Sequence, residues 1–220
     1  MTQFILRLAR LILGLFIVAF GIVIQIQANV GYAPWDVFHA GISKSTSLTI
    51  GQASIVVGLV IVILTAITKE KIGLGSIANM ILIGVFIDLI MSLQILPQMN
   101  HLGSGLIMLL IGMPFIALGS YFYLSAGFGA GPRDGLMVGL HRRLPIKVST
   151  ARSAIELGAT TLGWLLGGLV GFGTVVAAVG IGYTVGLVFK LLRFDPKTVK
   201  HQTLLETLFF LKSGIQKSPC

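Results

Sequence analysis

A chain of 220 residues that is 55% hydrophobic and only 10% charged, with a mean hydropathy of +0.96, lacks the polar surface of a soluble domain, in which about a quarter of residues are charged. Most of its surface must face lipid, which makes it a polytopic membrane protein. The net charge of +9 does not argue for nucleic acid as a partner, because basic residues of membrane proteins collect in cytoplasmic loops without any ligand.

In chain order, Arg7 and Arg10 precede an apolar stretch, as in a secretory signal peptide. The stretch runs on through Ala28 and more spans follow, so an uncleaved first span is expected. Runs near the ~20 residues needed to cross about 30 Å of hydrocarbon are predicted at about 11–28, 52–68, 73–93, 105–125, 153–169 and 172–191. Gly31-Tyr32-Ala33-Pro34-Trp35-Asp36 follows the first run, and Gly129-Ala130-Gly131-Pro132-Arg133-Asp134 follows the fourth. Glycine permits a sharp turn, and proline suits the first position of a helix. Each motif therefore predicts a short helix, over 34–43 and 132–144, too short to span and either interfacial or re-entrant. Pro114 is expected to kink the fourth span.

Beyond Arg193 the chain turns polar, and Asp195-Pro196 reads as a helix start. Leu204, Leu208 and Leu211 then share a helical face beside Leu205 and Phe209, predicting an amphipathic helix on the inner leaflet. A helix that docks a partner is the competing reading. The single cysteine, Cys220, is the last residue, so neither an intrachain disulfide, a cysteine metal site nor a prenylation box is expected.

With the N-terminus cytoplasmic, 15 of the 16 basic residues fall on one side and Lys44 alone on the other. This positive-inside bias predicts six spans with both termini cytoplasmic. A shift of 98 positions aligns the two halves without a gap, with about 17 identities over roughly 80 residues. Gly31, Pro34, Asp36 and Gly41 fall on Gly129, Pro132, Asp134 and Gly139, and Gly73, Gly75 and Gly84 on Gly171, Gly173 and Gly182. Each unit holds an odd number of spans, so the second must be inverted. The expected fold is an all-α membrane protein with repeats over 1–98 and 99–193 and a cytoplasmic tail over 194–220. Inverted repeats are a construction shared by many transporters, with sites near the midplane where the halves meet.

The candidate site is built from the rare charges. Asp36 and Asp134 occupy first helical turns, where free N–H groups favour a carboxylate, so each is either a cap or a ligand to a cation, proton or polar solute. Asp88 lies within the third span with no obvious partner. Glu156 lies within the fifth, with Arg152 four residues earlier on the same face as an interfacial ion pair or a functional one. Ionisable groups at such depth mark functional candidates. Arg133 and Arg152 are the counter-charges, and Trp35 completes the set. Small residues such as Gly105, Gly112 and Gly119 read as helix packing. His39, His101, His141 and His201 show no metal-ligand spacing, and no nucleophile–base pair, phosphate loop or paired catalytic carboxylates are visible. No enzyme activity, metal or cofactor is expected.

The motifs resemble those of the YczE/YyaS/YitT group of bacterial integral membrane proteins, most closely its YczE-like branch. The resemblance spans about residues 10–195 and rests on Gly31–Val37, Gly129–Gly135, Arg152 with Glu156, Gly163-Trp164-Leu165-Leu166-Gly167-Gly168 and Gly171-Phe172-Gly173-Thr174. It implies a bacterial cytoplasmic membrane protein and no particular substrate. The function expected from the sequence is movement of a small solute or ion. The rival is a membrane regulator or scaffold that docks a cytoplasmic partner through the basic 133–152 segment and tail. The bilayer is the expected partner, nucleic acid is not, and a homo-oligomer is left open.

Overall fold

The computed structural model describes residues 2–68, 70, 72–129, 131–143, 148–199 and 201–213. Regular structure among these is helical throughout: α1 Thr2–Gln27, α2 Pro34–Ser45, α3 Ile50–Ile67, α4 Leu74–Ser92, α5 Leu102–Ser125, α6 Pro132–Arg143, α7 Val148–Leu165, α8 Phe172–Leu191 and α9 Leu204–Ser213, with a 3₁₀ turn at Pro196–Thr198. Five helices, α1, α3, α4, α5 and α8, are long and apolar enough to cross a membrane. The predicted fifth span, 153–169, is displaced toward the N-terminus. Gly167 takes a left-handed φ of 90°, and the Gly168 N–H reaches the Gly163 carbonyl at 2.7 Å, which stops α7 at Leu165. The helix instead takes in Ser149, Thr150 and Arg152, and is more polar than the other five.

The centre of the fold is an antiparallel pair, α1 against α5. Gly14 meets Gly119, Gly21 meets Gly112, and Gly105 meets the Ala28 carbonyl, while the Arg7 guanidinium donates to the Ala126 carbonyl at 2.8 Å. Every seventh residue of α1 thus meets every seventh of α5 in reverse order. A Cβ on Gly14 would stand 2.5 Å from the Tyr123 backbone nitrogen, so the backbones approach as closely as glycine permits. Between lipid-embedded helices such packing stands in for the hydrophobic effect. Leu11, Leu15, Val18 and Val23 fill the seam, and α5 runs unbroken through Pro114. α4 lies beside α1, and α8 beside α5.

The short helices start as the glycine-proline pattern predicts. Gly31 and Gly129 hold φ of 111° and 117°, which L side chains rarely adopt, and Pro34 and Pro132 open α2 and α6. The two turns are clasped reciprocally. The Gly75 N–H donates to the Phe128 carbonyl at 2.7 Å, and the Gly173 N–H to the Val30 carbonyl at 2.8 Å. α2 packs on α7, and α6 on α3.

At one end of the bundle, Arg142 pairs with Glu70 at 3.0 Å and Arg143 donates to the Ile67 carbonyl at 2.6 Å. The tail joins this end, with the Gln202 N–H on the Gly127 carbonyl and the Leu204 N–H on that of Ile72. In α9, Thr207 is buried whereas Leu205 and Phe209, one turn apart, are exposed. At the opposite end, the Met99 N–H donates to the Gln27 carbonyl and Thr49 bonds Asp88.

Candidate functional site

The long helices leave a cavity of about 370 Å³ where the two halves of the chain meet. Every helix from α1 to α8 contributes to its wall. The first turns of both short helices enter it, Pro34–Asp36 from α2 and Pro132 with Arg133 from α6. Trp35, Asp36, Arg133, Arg152 and Glu156 are brought together here, although they lie in separate parts of the sequence.

Asp36 is buried, and its carboxylate lies 3.5 Å from Nδ1 of His39 one turn later. His39 is 1% exposed, and neither ring nitrogen makes a hydrogen bond among the described residues. A buried imidazole with no well-formed hydrogen bond costs about 1–3 kcal/mol unless water or a solute satisfies it. The Arg133 guanidinium lies 4.5 Å from the centroid of the Trp35 ring, a cation–π contact linking the first turns of α2 and α6. Arg152 donates to Glu156 at 2.9 Å, and the carboxylate is the more sheltered partner, at 22% exposure against 52%. Counting formal charges on these side chains, the two carboxylates of Asp36 and Glu156 share the lining with the two guanidinium groups of Arg133 and Arg152.

Two expected members stand differently. Asp88 does not line the cavity and is not without partners. It accepts from the Thr49 hydroxyl at 2.5 Å and the Gly51 N–H at 2.9 Å, tying α4 to the start of α3. The reason is geometric, since an acid one turn from the end of a helix is within reach of the free N–H groups opening its neighbour. The side chain of Asp134 lies outside the described residues.

The structure adds His39, Ser54, Asn79, Ser120 and Tyr123 to the lining. The Asp36-x-x-His39 spacing places both on one face of a short helix, a signal available in the sequence. The others are isolated polar residues in apolar helices, and only the rotation of each helix decides which way they face.

The chain matches the family of unknown function DUF6198 over residues 5–190. It is 37% identical over 182 residues to the uncharacterized membrane protein YczE of Bacillus subtilis, covering 82% of this chain and 84% of that one. An uncharacterized protein of Haemophilus influenzae is 36% identical over 175 residues, covering 80% and 79% of the two chains. The uncharacterized protein YyaS of Bacillus subtilis is 28% identical over 166 residues, covering 74% and 83%. No solved structure matches it. With its apolar helices and the cavity they line, the chain belongs to the DUF6198 family as a YczE-like multi-pass membrane protein.

Proposed function

We propose that this protein is a carrier for a small polar or charged solute, built as an inverted three-plus-three repeat with both termini on the cytoplasmic side of a bacterial cell membrane. The observation that carries this reading is the charged cavity at the junction of the two halves, into which the first turns of both short helices project. Charge inside a lipid-embedded bundle is expensive unless it pairs or meets water, and no purely structural role calls for four such side chains around a void. A scaffold would be expected to close that junction with apolar contacts.

Several features support the inverted arrangement. The helices of the halves run 26, 12, 18 and 19 residues against 24, 12, 18 and 20. α1 and α5 are antiparallel, and the Gly75–Phe128 and Gly173–Val30 bonds map onto each other under the shift of 98. α7 makes the sixth crossing in this reading, its 18 residues reaching about 27 Å at 1.5 Å each. Arg7, Arg142, Arg143 and the tail share one end of the bundle, in keeping with a cytoplasmic face. The regulator alternative is weakened because Arg142 and Arg143 are engaged within the protein itself.

The test is uptake by proteoliposomes of a panel of amino acids, organic acids and inorganic cations. For any solute that is moved, Asp36→Asn and Glu156→Gln should each reduce flux by at least about tenfold, the scale set by losing one charged contact, with normal insertion and melting. Undiminished flux in both variants rejects the cavity as the path.

A further inference from the structure

The two halves differ most in how their last two helices pack. α3 and α4 pack closely, with Gly51 against Gly84 and Gly58 against Met80. Among the described residues, the corresponding helices α7 and α8 barely touch, and Gly182, the counterpart of Gly84, has nothing within 4 Å of where a Cβ would stand. The cavity wall reflects this. On one side it is sealed by Ser54 and Gly58 of α3 with Met80 of α4, and on the other it runs between Glu156 of α7 and Gly182 of α8.

The sequence differences at the same places account for the asymmetry. Asp88 accepts from both Thr49 and Gly51 and so holds the end of α4 on the start of α3. Its counterpart in α8 is Gly186, which has no side chain to do the same, and a Cβ there would meet nothing within 4 Å. Gly58, which lets Met80 pack, has as its counterpart Glu156, a longer side chain that turns to Arg152. Charge-assisted hydrogen bonds are about twice as strong as neutral ones, so the α3–α4 closure has a fastening that the α7–α8 pair lacks.

Resting on the carrier reading above, we infer that Asp88 is the latch of an outer gate. In this reading the α3–α4 contact that Asp88 fastens with Thr49 and Gly51 shuts the cavity off from the outer side, and the loosely packed α7–α8 pair is its opening toward the cytoplasmic side. Release of Asp88 lets α3 part from α4 while α7 closes on α8, each half adopting the packing its relative shows here. A symmetric pair of packings offers two states of similar energy, and the latch biases them toward the inward-open one. Asp88 therefore acts on solute access and not on solute binding.

The experiment uses the full chain with Cys220→Ser, and Ser54→Cys as a reporter in the cavity wall. A membrane-impermeant maleimide is applied to right-side-out and inside-out vesicles. With Asp88 intact, labelling should be at least about tenfold faster from the cytoplasmic side. Asp88→Asn, which keeps the side-chain shape, should raise the outer rate at least about tenfold, as expected for loss of a charge-assisted contact. A Ser153→Cys/Gly182→Cys pair (the counterparts of Ile55 and Gly84) should cross-link readily in Asp88→Asn and poorly in its absence. An unchanged outer rate, or a faster outer rate with Asp88 intact, overturns the latch while leaving the cavity as a path. No labelling from either side rejects the carrier reading together with the latch.

Discussion

At the scale of single residues, the cavity combines groups that are costly to bury with partners that only partly relieve them. Asp36 and His39 share one face of a 12-residue helix, and Arg133 rests on Trp35 from the other short helix. Trp35→Ala removes the surface that positions this guanidinium, a contact worth about 2 kcal/mol when desolvated. Its expected result is weaker solute binding by at least about tenfold, read as a smaller ligand-induced melting shift in detergent, with the unliganded melting temperature little changed. Gly31 makes the contrasting case, where only conformation and space matter. Its φ of 111° disfavours any side chain, and a Cβ would stand 2.6 Å from the Gly171 nitrogen. Gly31→Ala should destabilise the protein by about 2 kcal/mol or more, and Gly103→Ala, in open space, should do so far less. Equal melting temperatures for the two variants would show that the turn tolerates a side chain.

At the scale of the element, α7 decides how far a sequence pattern predicts a span. The apolar run points to 153–169, yet the helix stops at Leu165 because Gly167 adopts the left-handed region and closes the end. The helix carries the Arg152–Glu156 ion pair near its start. Arg152→Ala leaves Glu156 without its cation, and truncating one partner of such a pair costs more than removing both. The yield of folded Arg152→Ala protein should therefore fall below that of the Arg152→Ala/Glu156→Ala double variant, as measured by size exclusion in detergent. A double variant as poor as the single one would argue that Glu156 is sheltered by something other than Arg152. The α1–α5 pair shows the opposite situation, since its glycines at seven-residue intervals are explicit in the sequence while their partners are not.

At the scale of the molecule, the distribution of charge and the order of helices belong together. An arrangement with Arg7, Glu70, Arg142 and the tail at one end and the α2–α3 turn at the other predicts sidedness. In a Cys220→Ser background, Thr46→Cys should react with an impermeant thiol reagent from outside the cell, and Arg142→Cys only from inside. Reaction of both from one face would break the inverted arrangement, and with it the carrier reading.

Composition by itself makes this a membrane protein. The 98-residue repeat marks both short helices, and the scarcity of charge singles out Asp36, Arg133, Arg152 and Glu156, four of the groups that meet in the cavity beside Trp35. These features are legible because lipid and backbone geometry impose local rules: apolar length for a span, glycine for a left-handed turn, proline at a helix start, and cations on one side. His39, Ser54 and Asn79 in the wall, Asp88 at a helix junction, and the unequal packing of α3–α4 and α7–α8 are decided only by tertiary structure. Each depends on how helices distant in the chain are rotated and spaced against one another, and no single helix's sequence carries that information.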